Sequence, residues 1–340
     1  MKSDNPSGEL PGTLNMSVIM PVYNGHDFIL KSLPPLVEML RRGEVREVIV
    51  VDDTSTDDSA QIASDMGARV IASGGRLGPG GARNQAAHEA EGEILWFVDA
   101  DVIVHDDVVE YFRDGFSEPA VVAVFGSYDD HPPAQNFLSQ YKNLVHHFYH
   151  HRGRREASTF WSGCGAVRKA AFLDAGGFDI ERYTRPSIED IELGYRLRKA
   201  GGKILLIPEL QSTHLKEWRF VNLIHTEVFC RAIPWSRLML EHTGVIDDLN
   251  VSSTERLRAV LAGLLLLAIL AAVPGFLSWW LVLPVAAGVA FANSKLLGLF
   301  YRRKGLLFAI MGLAFHQLYY LYSSLAFVYS WLEFHLGKKA

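Results

Sequence analysis

Two carboxylates, Asp99 and Asp101, flank a single alanine where the apolar run at residues 96–98 ends. Acidic oxygens at the end of a buried strand can hold a hard divalent cation, Mg²⁺ or Mn²⁺, and leave coordination positions for the phosphate oxygens that such a cation shares with its ligand. A strand followed by an Asp-rich turn is the other reading, because Asp tolerates turn geometry. A second acidic cluster closes another strand: the β-branched run at 48–51 is followed by DDTSTDDS at 52–59. A third apolar segment, 17–20, stops at Pro21, Val22, Tyr23, Asn24 and Gly25, a turn-forming tip with an aromatic face on which a base can stack. Parallel α/β sheets bind ligands outside the carboxyl ends of their strands, so these ends can line one crevice, and a nucleotide diphosphate is the ligand they point to.

Further along, Gly78, Gly80 and Gly81 lead into Ala82, Arg83 and Asn84, a side-chain-poor turn opening a helix with a guanidinium in its first turn. Backbone N–H groups and Arg83 can meet a phosphate there, although a glycine-rich loop without chemistry has the same composition. It is neither a dinucleotide-binding GxGxxG nor a Walker loop, since no Lys-Ser/Thr pair follows. Glu189 and Asp190 stand at the start of an amphipathic helix; a carboxylate there serves as a general base or simply favours the helix dipole. His214 follows the strand-like run KILLIPEL and is open to a metal or a packing role.

Five segments, SVIMPVYN at 17–24, VVDDTSTDDS at 50–59, LGPGGARNQA at 77–86, the Asp-Ala-Asp triplet at 99–101 and IEDIELGYRLRKAG at 188–201, occur in an order that resembles the family 2 glycosyltransferases of GT-A fold. The resemblance covers roughly the first 215 residues. It implies an α/β, Rossmann-like, largely parallel sheet that binds a nucleotide sugar. It further implies Asp101 as the primary metal ligand, Asp99 sharing the cation or holding the ribose, and His214 as a third metal ligand. Pro21, Tyr23, Asn24, Asp52 and Asp53 would contact the nucleoside, Gly80 and Arg83 the phosphates, Glu189 the donor, and Asp190 would be the base of an inverting transfer. Small residues at 162–166 would floor the sugar site, with Cys164 as packing rather than a nucleophile, because inversion needs no covalent intermediate.

Apolar strand runs alternate with helical patterns: strand 17–22, helix 26–42, strand 46–51, helix 57–67, strand 69–72, helix 80–91 and strand 94–98, then a strand at 121–127 and a helix with loop over 135–155. This rhythm predicts βαβ units. His146, His147, His150 and His151 cluster in the last segment and read as a solvated or membrane-proximal helix face, because no carboxylate or thiol lies beside them at ligand spacing. The two cysteines, Cys164 and Cys230, form no disulfide framework, and a net charge of −5 leaves no basic footprint for nucleic acid. Residues 1–15 read as a polar lead-in without a secretory signal.

The remainder is a different material. Residues 218–252 mix Trp, Phe and Leu with Arg219, Arg231 and Arg237, a composition for helices lying in a membrane interface, with Arg231 available to a donor diphosphate. No charge occurs from 259 to 294, a run that accommodates two short spans broken at Pro274 and Gly275; a third apolar stretch covers 306–332. About three spans over 253–340 are expected. Arg256, Arg258, Arg302, Arg303 and Lys304 put the catalytic domain, residues 16–217, on the cytosolic side of the cell membrane, while Lys338 and Lys339 then fall outside against the positive-inside tendency, a conflict that a re-entrant segment resolves.

These readings converge on a multi-pass, metal-dependent, inverting enzyme that transfers a sugar from a nucleotide diphosphate sugar, a UDP-sugar favoured, to a lipid acceptor such as polyprenyl phosphate or a lipid-linked saccharide. A polysaccharide synthase is the alternative enzyme, but the QxxRW motif of processive family members is absent, with RAIPW at 231–235 in its place. A membrane scaffold that kept the fold without turnover is the alternative of another class.

Overall fold

The computed structural model of the chain describes residues 14–241 and 249–337; the lead-in before residue 14, Lys338 and Lys339 lie outside them. The chain divides into two compact units, one running to Tyr128 and resuming over Arg155–Leu215, the other made of Asp129–Arg154 and the chain from Lys216. The helix expected near 135–155 therefore groups with the C-terminal region, so the first unit is discontinuous where one unbroken domain over 16–217 was expected.

The first unit begins β1 (Met16–Val22), α1 (His26–Arg41), β2 (Glu47–Asp52), α2 (Ser59–Met66), β3 (Arg69–Ala72), α3 (Gly78–Glu89) and β4 (Ile94–Val98). It continues through β5 (Val102–Val104), α4 (Val108–Gly115) and β6 (Val121–Tyr128); α5 (Phe137–His150) belongs to the second unit. After it come β7 (Glu156–Ala157), β8 (Cys164–Arg168), α6 (Lys169–Asp174), α7 (Glu189–Lys199) and β9 (Lys203–His214). The strands form one sheet in the order β3-β2-β1-β4-β8-β6-β9-β5, with β7 on β9. β3, β2, β1 and β4 are parallel, as the alternation predicts, and so is β6 with β9. β8 runs antiparallel to both β4 and β6, which makes the second half mixed.

Every residue of β1 and β4 is buried, because helices cover both faces and a parallel strand then carries a continuous apolar run. Fully buried Phe97 packs against Phe172 and Phe178 at ring-centroid distances of 5.4 and 5.3 Å, tying α6 and the loop before α7 to the sheet. Burial of each such ring contributes about 1.5–3 kcal/mol. α7 comes so close to the chain at Phe160 that a Cβ on Gly194 would stand 2.4 Å from the Phe160 nitrogen; only glycine permits this approach.

In the second unit α8 (Phe220–His225), a π-helical turn (Thr226–Ala232) and α9 (Ile233–Glu241) precede α10 (Ser253–Ala272), α11 (Trp279–Ala292) and α12 (Ser294–Leu336). α12 is interrupted at Gly305, whose φ of 82° only glycine adopts without strain; a basic amphipathic segment thus turns into an apolar one. Among the described residues α12 is the one helix long and apolar enough to cross a membrane, and α11 is apolar but shorter. The expected hairpin breaks where Pro274 and Gly275 stand, but Glu255, Arg256 and Arg258 occupy the first turns of α10 and shorten its uncharged part below a full crossing. Polar contacts knit this unit. Glu255 accepts hydrogen bonds from the hydroxyls of Tyr149 at 2.9 Å and Tyr320 at 2.6 Å and pairs with Arg258, while His316 meets Tyr141 Oη at 2.7 Å.

Candidate active site

β1, β2 and β4 are parallel neighbours, so their carboxyl ends deliver Tyr23, Asp53 and Asp99 to one edge of the sheet. Antiparallel β8 starts at that edge, with Cys164 opposite Val98, and the Asp99 backbone N–H donates to Gly163 O at 3.1 Å. β9 ends there as well, His214 pairing with Val102. The sequence identified each strand end but not the strand reversal that brings 162–164 and His214 to the same edge.

Arg83, 3 % exposed, reaches Asp99 and forms a short ion pair with it, so this carboxylate is held by a guanidinium as well as facing the crevice. The Arg83 Nε is buried and makes no hydrogen bond. Asn84, the next residue, clamps the loop before α7: its Oδ1 accepts from Phe178 N and its Nδ2 donates to Phe178 O, both at 2.8 Å. The Ala-Arg-Asn segment thus divides its labour between the crevice and the scaffold.

Asp101 and His214 stand 3.5 Å apart, carboxylate oxygen to Nε2. The imidazole lies flat on Tyr128, ring centroids 4.3 Å apart and planes 5° from parallel, which fixes its orientation. Among the described residues no three His, Cys, Asp or Glu side chains form a ready cation cage. An oxygen and an imidazole nitrogen facing each other nevertheless suit a cation that keeps phosphate and water in its remaining positions, as Mg²⁺ does.

Asp190 presents one carboxylate oxygen to Ser162, which donates from its backbone N–H at 3.0 Å and its hydroxyl at 3.2 Å; the other accepts from Ile191 N at 2.8 Å. Glu189, 8 % exposed, is pushed up to about 7 by burial and then by the charge of Asp190, against the pull of Arg83. Burial also raises Asp99, opposed by Arg83 and reinforced by Asp101 and Asp190. Asp99 and Glu189 thus both feel Arg83 and Asp190, which sit between them electrostatically. Gly80 lies close by, a Cβ there being 3.8 Å from the Glu189 side chain.

Other expected residues also make contacts within the strand-end loops. Asp53, 3 % exposed, accepts from Leu77 N at 2.7 Å and Gly78 N at 2.9 Å, shaping the glycine-rich turn. Asp52 accepts from Ser55 N at 3.2 Å, and Asn24 Oδ1 from Thr56 N at 2.7 Å, joining the first two strand-end loops. Pro21 is buried within β1, opposite Val51. Tyr23 is exposed, and the guanidinium of Arg76 lies 3.0 Å above its ring while contacting Asp53 at 3.2 Å. Sequence reasoning missed Arg76, as it missed Ser162 and Tyr128 in their orienting parts; a cation one residue ahead of Leu77 and its glycines was the available signal. Arg231 lies in the π-helical turn of the second unit, paired with Glu227 at 3.0 Å. Buried Cys164 has its thiol pushed up to about 12 by desolvation, as a packing residue rather than a nucleophile would.

The chain is similar to several known proteins. It is 30% identical over 231 residues to the pre-mycofactocin glycosyltransferase of Mycobacterium tuberculosis, a match covering 63% of this chain and 46% of that protein. A shorter match, 38% over 97 residues, joins it to the poly(ribitol-phosphate) beta-glucosyltransferase of Bacillus spizizenii, covering 26% of this chain and 15% of that one. The chain thus spans less than half the length of these two curated relatives. Among solved structures, the mannosyltransferase PcManGT from Pyrobaculum calidifontis in complex with GDP-Man and Mn²⁺ has a TM-score of 0.60 at 20% identity, covering 93% of this chain and 88% of that one. At that identity the likeness establishes the GT-A fold. Residues 17–176 match the family model described as glycosyl transferase family 2, in keeping with the sheet order and the strand-end carboxylates.

Proposed function

We propose that the chain is a membrane-anchored, inverting, metal-dependent glycosyltransferase that moves a sugar from a nucleotide diphosphate sugar to a lipid acceptor, such as polyprenyl phosphate or a lipid-linked saccharide, at the cytosolic face. The observation that carries this reading is geometric: at the carboxyl edge of the sheet Arg83 from α3 pairs with Asp99, Asp101 faces His214, and Asp190 from α7, beside Glu189, is held by Ser162. Asp101 and His214 would hold the cation, and a bound Mg²⁺ or Mn²⁺ would supply neutralising charge for the diphosphate. Arg83, steadied by Asp99, sets positive charge beside the leaving phosphate. Asp190, oriented by Ser162, takes the proton carried by the acceptor's nucleophilic oxygen, a saccharide hydroxyl or a phosphate P–OH, as that oxygen attacks the anomeric carbon from the face opposite the diphosphate. The bond from the anomeric carbon to the diphosphate oxygen breaks in the same step. Tyr23 is the stacking platform for the base once Arg76 swings off its ring.

Anchoring rests on α12, with the α10–α11 hairpin inserted beside it, and Arg302, Arg303 and Lys304 ahead of the apolar segment favour the cytosolic side. A UDP-sugar remains the favoured donor, and the likeness to a GDP-Man complex keeps guanosine donors in the test. Thermal shift with a panel of UDP- and GDP-sugars is expected to show one donor raising Tm with Mn²⁺ and not with EDTA. Asp101→Asn is expected to abolish that cation-dependent shift, because a neutral amide holds a hard cation poorly against its hydration. An unchanged shift in this variant would remove Asp101 from the metal site.

A further inference from the structure

The second unit contains a hollow of about 490 Å³ between the C-terminal end of α5 and the N-terminal segment of α12. Its polar lining is basic: His147, His151 and Arg152 from the first, Lys295 and Arg302 from the second, with no carboxylate among the lining residues. The His147 and His151 rings lie 3.9 Å apart. Asp130, 3.9 Å from His147, is already engaged by Arg303 and by His131 at 2.7 Å. Phe148 and Leu299 give the hollow an apolar wall, and Arg152 stands 5.3 Å above the Phe148 ring.

A cleft lined by one sign of charge concentrates the opposite ion, and the first residues of a helix add the positive end of its dipole. Ser294 and Lys295 are those residues here, 11 and 10 positions ahead of the Gly305 break that opens the apolar part of α12. Guanidinium, ammonium and imidazole N–H groups match the oxygens of a phosphate, whereas the apolar wall suits the glycerol and first methylenes attached to it. We propose that this hollow binds the phosphate of an anionic membrane lipid headgroup. The bound headgroup fixes α12 against α5 at the level where the basic segment gives way to the apolar one, a role distinct from that of the acceptor lipid in the proposed transfer.

The test uses the full chain in a neutral maltoside detergent and short-chain phosphatidylglycerol, with short-chain phosphatidylcholine and inorganic phosphate as comparison probes. Phosphatidylglycerol is expected to bind and raise Tm. Lys295→Gln and Arg302→Gln are each expected to weaken that binding about fivefold and together about twentyfold. Arg302→Lys should restore most of it, and Arg41→Gln in α1, which removes the same net charge, should leave it unchanged. Equal affinity for phosphatidylcholine, or for inorganic phosphate alone, would overturn the headgroup assignment; undiminished binding in the double variant, or an equal loss in Arg41→Gln, would overturn the site.

Discussion

Asp190 and Glu189 are adjacent on one helical turn, yet their surroundings differ. Asp190 is half-buried and accepts three hydrogen bonds, from Ser162 and Ile191, whereas Glu189 is buried and pushed up to about 7. In the proposed mechanism Asp190 takes the proton, while burial makes Glu189 a source of pH-dependent stability. The folded state raises the Glu189 pKa above 4.5, so its favourable contribution is complete below about 4.5 and disappears as pH rises through about 7. Glu189→Gln keeps the neutral form at every pH. Thermal melts of both proteins from pH 4.5 to 8 are expected to diverge, the wild type losing Tm relative to the variant; parallel curves would mean that Glu189 ionises as freely as in the unfolded chain. The residues at the strand ends were legible because carboxylates that terminate apolar runs stand out. What each carboxylate touches was not, since the Arg83–Asp99 pair joins α3 to the end of β4 and the Asp53 contacts close a loop 24 residues away.

At the scale of elements, α7 matters because it carries both carboxylates and rests directly on backbone at Gly194. Gly194→Ala places a methyl 2.4 Å from the Phe160 nitrogen, a contact that backbone must relieve. The substitution is expected to cost about 1–3 kcal/mol and to lower transfer, as denaturant titration and turnover would measure; unchanged stability would show that α7 shifts freely. The first seven elements follow the alternation of apolar runs closely, β3 and β4 residue for residue, because in a parallel half-sheet local pattern and tertiary role agree. β8 departs from that rhythm. Its short, small-residue segment carries no periodicity, and only pairing with β4 and β6 sets its direction. α5 was visible as a helix, but its grouping with the second unit was not: Tyr141, Leu144, Val145 and Phe148 pack against Leu296 and Phe300, more than 140 residues away, and sequence spacing holds no record of such a partner.

For the whole molecule, the discontinuity at 129–154 changes what truncation should do. A chain ending at residue 252 keeps every strand-end residue but removes Leu296, Phe300 and Ala309 from the apolar face of α5. It is expected to bind nucleotide with cation yet to need detergent for solubility, and to lose transfer to a liposome-borne acceptor, because a tether that confines enzyme and lipid to one surface supplies their effective concentration. Equal rates for truncated and full chains on liposomes would make the membrane part dispensable. The most direct test of the central claim is release of nucleoside diphosphate from the donor found by thermal shift, followed for the full chain and for Asp190→Asn with its acceptor in liposomes. Mn²⁺-dependent release is expected, falling about 10²-fold or more in the variant while donor affinity stays nearly unchanged. Release at the wild-type rate from Asp190→Asn, or none from the wild type with any donor, would contradict the central claim.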